Sequence, residues 1–439
     1  MFLKAREDRE EMRIVYIIPG SGGTFYCQNC MRDVALVHEL QCAGHEVLVV
    51  PMYLPLFTDE KSIDDGVPVF FGGINVYLQQ KFKFFRKTPR WVDRIFDSKW
   101  VLRRVASREG ATSAAGLGPM TLSMLRGADG NQRKELARLV DWLTERERPD
   151  LVHISNALLI GLASALKAKM DIPVVCTFQD EDTWLDAIDP PFNEACWTAV
   201  GEHCGVIDRF IAVSEWYAER MSVRLNIERK RISVIPVGID LNGCHPAALN
   251  FDPPTIGYLS RMSDIYGLGR LVEAFIELKQ KDGLEGLKLK ATGGMVGADR
   301  RFVAGLKRRL DRVGFADDVC FVEDFSREER IALIRSLSVL SVPVERGEAF
   351  GTYIIEALAC GVPVVQPRAG AFPELIDVTG GGIIYDDSLS VALERMLRDP
   401  ECAGRMGSCG REIVHKEFDI NVVAERILAE YVSLTGERK

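Results

Sequence analysis

Short runs of aliphatic and β-branched residues recur along the chain, each followed by a stretch long enough for a helix. The first, RIVYII at 13–18, leads into the glycine-rich turn PGSGG at 19–23 and a helix predicted over 32–43. Gly44 closes that helix and 45–50 reads as a second buried strand, so the chain opens as the βαβ unit of a doubly wound sheet. Further strands are predicted at 151–154, 174–178, 209–213 and 232–236. They are near-continuous apolar runs, the pattern of parallel strands buried on both faces.

A second series starts after a proline-bearing stretch through Pro236, Pro246, Pro253 and Pro254, which has the composition of an interdomain linker. Beyond it strands are predicted at 255–259, 287–292, 319–322, 338–343 and 363–366, with helices around 268–281, 301–313 and 327–336. The expectation is two domains, 1–240 and 241–419, with a last helix at about 420–439 packing back on the first. Tandem doubly wound domains imply a cleft where the carboxyl ends of both sheets face a ligand.

A length of 439 residues, with 47% hydrophobic and 27% charged residues, fits two such domains and excludes collagen-like and disordered chains. No run approaches the roughly 18 apolar residues of a membrane helix. The first residues, MFLKAREDREEMR, lack the apolar region of a secretory signal, so a cytoplasmic protein is expected. Eleven cysteines are dispersed, and contexts such as those of Cys176, Cys320 and Cys360 suggest buried reduced thiols.

The net charge of −8 argues against a general nucleic-acid binder. Charge is nevertheless segregated, because 76–108 holds ten Lys and Arg residues against two Asp. Aromatic residues interleave them, as in Lys81, Lys83, Arg86, Lys87, Arg90 and Trp91. That mixture suits an anionic acceptor or the inner face of a membrane, and equally a solvated helix with its aromatics in the core.

The segment 345–376 carries the strongest candidate chemistry. Glu348 and Glu356 lie eight positions apart, and a helix beginning near Gly351 would put one in the preceding loop and the other inside it. The N–H groups of Ala349, Phe350 and Gly351 would then be open to an anion. A capped surface helix with an ordinary glutamate is the plain alternative. Six histidines lack close ligand spacing, so no metal site is expected, and His153, between Val152 and Ile154 on a strand, reads as structural. Cys27 and Cys30 form a CxxC near a helix start, which reads as helix packing or as redox or metal chemistry.

The same segment, with Glu, seven residues, Glu and a following Gly-x-Pro-Val-Val strand, resembles the signature of retaining GT-B glycosyltransferases of family 4. Other blocks follow in the family's order: RIVYIIPGSGG, DLVHIS, VVCTFQD, VSEWYAERM, VIPVGID and GYLSRMSDIYG, covering 13 to about 434. The resemblance implies the GT-B fold, two Rossmann-like α/β domains facing a central cleft. It also implies that Glu356 accepts from the nucleotide ribose, that Glu348 accepts from the transferred sugar, and that Arg261 clamps the donor diphosphate. Gly20, Gly22 and Gly23 would let the backbone approach the diphosphate or the acceptor, or simply make a tight turn.

Two positions depart from the family pattern. Tyr266 stands where relatives usually have Lys, which removes a positive charge from the diphosphate, and Gln179 stands where many have His against the sugar. The expected activity is metal-independent transfer, with retention, from a nucleotide-diphosphate sugar to a saccharide or lipid-linked acceptor in envelope or polysaccharide synthesis. No cofactor is expected to be bound permanently. Two other readings stay open: a catalytically silent protein that binds a sugar nucleotide or glycan, and a GT-B phosphorylase using free phosphate.

Overall fold

The apolar runs become strands, and the central ones are buried on both faces. The computed structural model describes residues 11–19, 26–52 and 116–436, and the chain divides into two units. One draws on 1–22, 29–235 and 424–439, the other on 23–28 and 236–423. Each unit holds one six-stranded sheet whose strands are all parallel.

The first sheet comprises β1 (Arg13–Ile18), β2 (Glu46–Pro51), β3 (Leu151–Ile154), β4 (Val174–Phe178), β5 (Arg209–Ala212) and β6 (Ile232–Val234). Its order is β2-β1-β3-β4-β5-β6. Every residue of the central strands β3 and β4 is buried. The register aligns Tyr16 with His153 and His153 with Val175. The strand order reverses between β1 and β3, so a crevice opens beyond their carboxyl ends.

The second sheet comprises β7 (Thr255–Leu259), β8 (Lys288–Thr292), β9 (Val319–Phe321), β10 (Val339–Leu340), β11 (Val364–Pro367) and β12 (Gly382–Tyr385). Its order is β12-β11-β10-β7-β8-β9, with the reversal between β7 and β10. The central strand β7 is fully buried, whereas the edge strands β9 and β12 are half-exposed. Two parallel doubly wound sheets agree with the expected α/β class.

Several boundaries differ from the sequence reading for local reasons. The first helix begins four residues earlier than predicted, at Gln28, and runs to Cys42. The ladder predicted over 338–343 is only Val339–Leu340, because the chain leaves the sheet there to form the loop that carries Glu348. Cys320, expected to be buried, is exposed because it lies on the edge strand β9, while Cys176 and Cys360 are buried free thiols. Among the described residues, no helix is long and apolar enough to cross a membrane.

The last helix, Ile420–Gly436, brings Tyr431 against the first sheet. There the His153 ring is fully buried, with Nδ1 against the Tyr431 hydroxyl and Nε2 2.6 Å from the Thr177 hydroxyl. Neutral imidazole serves this arrangement by donating at one nitrogen and accepting at the other. Burial, aided by the nearby Arg32 cation, pushes its pKa down from 6.5 to about 3. The unfolded chain therefore binds a proton below its own pKa that the folded state refuses. This contribution to stability is complete above pH 6.5 and is lost as pH falls toward 3. From pH 7 to pH 5 the loss is expected to be about 2 kcal/mol. His153→Gln should lack that component in urea melts compared at the two pH values.

Candidate functional site

In the second unit the reversal between β7 and β10 brings two loops side by side. The loop after β7 carries Arg261 and the loop after β10 carries Arg346, Gly347 and Glu348. Glu348 is only 5% exposed, and Ala349 and Phe350 are buried beside it. The helix Thr352–Ala359 starts after Gly351 and holds Glu356. One carboxylate thus precedes the helix and the other lies inside it.

What fixes Glu348 is a main-chain contact that sequence reasoning missed. Gly347 and Gly370 both take positive φ, +71° and +57°, and their backbones touch. A Cβ on Gly347 would fall 2.2 Å from the Gly370 nitrogen, and one on Gly370 would fall 2.5 Å from the Glu348 nitrogen and oxygen. The closeness lets the Ala371 N–H donate to the Glu348 carbonyl at 3.0 Å.

Both carboxylates have partners from elsewhere in this unit. The Tyr26 hydroxyl donates to Glu356 Oε2 at 2.8 Å, and Arg330 reaches Glu356 Oε1 at 3.4 Å while its guanidinium lies 5.3 Å from the centre of the Tyr26 ring. Burial and the adjacent carboxylate hold the Tyr26 phenol well above its ordinary pKa, so it remains a donor. The Gln28 amide donates to Glu348 Oε1 at 3.4 Å, and its carbonyl accepts from the Thr352 N–H at 2.7 Å. Gly351, one of the N–H groups assigned to an anion, takes φ +96° at the start of the helix.

Arg261 is forked onto Asp299, with Nε 2.7 Å from Oδ2 and Nη2 3.1 Å from Oδ1. Asp299 also accepts from the Val296 N–H at the start of the helix Gly297–Val313, which ties the guanidinium plane to that helix. Tyr266 closes a 3-10 turn, its carbonyl accepting from the Tyr258 hydroxyl at 3.3 Å. The Arg346 guanidinium lies 5.8 Å from the centre of the Tyr266 ring, so a cation stands beside the tyrosine that occupies the expected lysine position.

Gln179 belongs to the first unit, at the carboxyl end of β4. It is buried, its amide donates to the Ser155 carbonyl, and its Oε1 meets no partner among the described residues. Its neighbour Glu181 was not singled out in the sequence, although an acid directly after a buried strand is a usable signal. Glu181 is fully buried and accepts from the Ala157 N–H at 2.9 Å, the Gln179 N–H at 2.7 Å and the Tyr217 hydroxyl at 2.9 Å. Burial raises its pKa to about 7 against the pull of those donors. It braces the turn that carries Gln179.

Gly20, Gly22, Gly23 and the basic segment with Lys81, Lys83, Arg86, Lys87, Arg90 and Trp91 lie outside the described residues. Cys27 is half-buried, and the side chain of Cys30 is outside the described set. Although histidine spacing alone suggests no ligand cluster, His38, Glu39 and Cys42 bring their ligand atoms within 4.8 Å of one another on the helix Gln28–Cys42.

Carboxylates on either side of a helix start, beyond the switch point of a parallel sheet, lie where doubly wound α/β proteins take their ligands. Comparison with known proteins makes this specific. The family model for Glycosyltransferase Family 4 matches residues 34–242, and that for Glycosyl transferases group 1 matches 246–413. The chain belongs to the family 4 glycosyltransferases, with the GT-B fold.

Among its relatives, D-inositol 3-phosphate glycosyltransferase of Mycolicibacterium smegmatis is 28% identical over 274 residues, 59% of this chain and 58% of that protein. The match therefore spans less than two thirds of that relative. MMP alpha-(1->4)-mannosyltransferase of Mycolicibacterium hassiacum is 27% identical over 64% of this chain and 70% of its own. Sucrose-phosphate synthase of Thermosynechococcus elongatus shares the fold at TM-score 0.70 and 19% identity, over 97% of this chain and 99% of that structure. Anabaena HepE in complex with UDP does so at TM-score 0.63 and 17% identity, over 96% and 100%.

The glycine pair makes the geometry testable. Gly370→Ala would force a Cβ into the Glu348 main chain from a positive φ, and is expected to cost on the order of 2 kcal/mol or more. Gly404→Ala is the contrast, because that glycine sits inside the helix Pro400–Glu417 with nothing within 4 Å of an added Cβ. It should be neutral or stabilising by up to about 1 kcal/mol. Thermal melts of the two variants beside the parent chain make the comparison.

Proposed function

We propose that the chain transfers a sugar, with retention at the anomeric carbon, from a nucleotide-diphosphate sugar to a hydroxyl of a saccharide or lipid-linked acceptor. The observation that carries this reading is the placement of Glu348 and Glu356 on either side of the N-terminus of the helix Thr352–Ala359, beyond the switch point of the second sheet. The UDP held by HepE, a protein of the same fold, supports a nucleoside diphosphate as the ligand.

In this reading Glu356 accepts from ribose hydroxyls and Glu348 from hydroxyls of the sugar. Arg261, its plane fixed by Asp299, faces the diphosphate and stabilises the charge that grows on it as the bond from the anomeric carbon breaks. The acceptor hydroxyl forms the new bond to that carbon, and its proton passes to the departing phosphate oxygen. Gln179, whose Oε1 meets no partner among the described residues, is suited to accept from a hydroxyl of the sugar. The reading includes no divalent ion, a role in envelope or polysaccharide synthesis, and a cytoplasmic setting at the inner membrane face.

The catalytically silent alternative keeps one observation in its favour, the neutral Tyr266 at a position that contacts the diphosphate in the resembled family. A thermal-shift series with UDP, GDP, ADP, dTDP and CMP, without added metal, separates the outcomes. A diphosphate at about 100 times its Kd stabilises by about 2.7 kcal/mol, a shift of a few degrees. One diphosphate should give that shift and Glu356→Ala should abolish it. Sugar conjugates of the same nucleotide should then yield a glycoside with the donor's anomeric configuration by NMR. Binding without transfer would leave the silent reading standing, and no shift with any nucleotide would remove the proposed donor site.

A further inference from the structure

The segment 26–28 makes with the protein the hydrogen bonds that the proposed function assigns to the ligand. The Tyr26 hydroxyl donates to Glu356, as a ribose hydroxyl would, and the Gln28 amide donates to Glu348, as a sugar hydroxyl would. The Gln28 carbonyl accepts from the Thr352 N–H at 2.7 Å, as an anionic oxygen would. A carboxylate has several lone pairs and can serve a second donor, but a backbone N–H has one proton and well-aligned acceptors compete for it. The first N–H of the helix Thr352–Ala359 therefore reaches a ligand oxygen only when Gln28 lets go.

The two side chains are held differently. Tyr26 is 3% exposed, its N–H donates to the Gly293 carbonyl at 2.9 Å, and its ring lies under Arg330. Gln28 is half-buried at the first position of the helix Gln28–Cys42, and a long unbranched side chain there can leave without moving the backbone. Tyr26 is the anchor and Gln28 the occupant.

We infer that the Gln28 carboxamide is a built-in occupant of the site, seated on the Thr352 N–H and Glu348, and that a nucleoside diphosphate must displace it for a phosphate oxygen to take that N–H. This rests on the nucleotide-sugar reading above. An occupant lowers the apparent affinity by the fraction of molecules in which it is seated. Its removal should therefore tighten binding, whereas removal of an ordinary ligand contact would weaken it.

The experiment is calorimetric titration of the full chain, Gln28→Ala and Gln28→Met with UDP, GDP, ADP, dTDP and inorganic pyrophosphate. The methionine variant keeps the bulk of the side chain and loses both hydrogen bonds. Each variant is expected to bind the preferred diphosphate about 3- to 10-fold more tightly than the parent chain, the range for one competing hydrogen bond removed. Binding by the variants where the parent shows none would support the inference equally. If the parent chain binds and both variants bind no better, or more weakly, Gln28 is not an occupant and the nucleotide reading survives. If neither parent nor variants bind any of the five probes, the nucleotide reading falls and the inference falls with it.

Discussion

The position of Glu348 depends on two main chains being allowed to touch. Parallel strands separated by about 4.8 Å deliver their loops side by side at the carboxyl edge, and side chains normally keep such loops apart. Here Gly347 and Gly370 remove them, so the loops after β10 and β11 meet backbone to backbone. The Ala371 N–H then holds the Glu348 carbonyl, and the helix Phe372–Thr379 departs from that point. The helix with Glu356 starts four residues after Glu348, so the spacing of the carboxylates follows from one short turn fixed to the sheet.

Much of this architecture is legible in the chain because burial on both faces writes a strand as an unbroken apolar run. β4 and β7 are buried at every residue, and the sequence marks both with the bounds they have. Legibility fades where tertiary context decides. β10 has only two ladder residues although 338–343 reads as a longer strand, because Val342 and Val344 are buried as loop residues beyond the ladder. Cys320 reads as buried from its neighbours but lies at an edge, and edge position follows from strand order, which local patterning does not encode.

The candidate site divides along the same line. The spacing of Glu348 and Glu356 marks them, since the helix start that separates them is local. Their partners are not local: Tyr26 is 330 positions from Glu356 and Gln28 is 320 from Glu348. Asp299 as the holder of Arg261 could be suspected only as an acid in the first turn of a helix. Arg330 carries no signal at all, since nothing in REERIALIR distinguishes it from a surface arginine, yet it is among the buried charges.

That buried arginine bears on how the site can treat an anion. The Arg330 side chain is 5% exposed and that of Glu356 14%, so each is removed from water largely on condition that the other is present. Arg330 is therefore better suited to fixing Glu356 than to attracting a diphosphate. Arg261 is similarly engaged, with Asp299 holding its fork in one plane while compensating its charge. Arg346 is exposed beside Tyr266, and the helix start at Thr352 carries a partial positive charge. In the proposed reading, a carboxamide seated on that helix start holds its first N–H until a ligand oxygen replaces it.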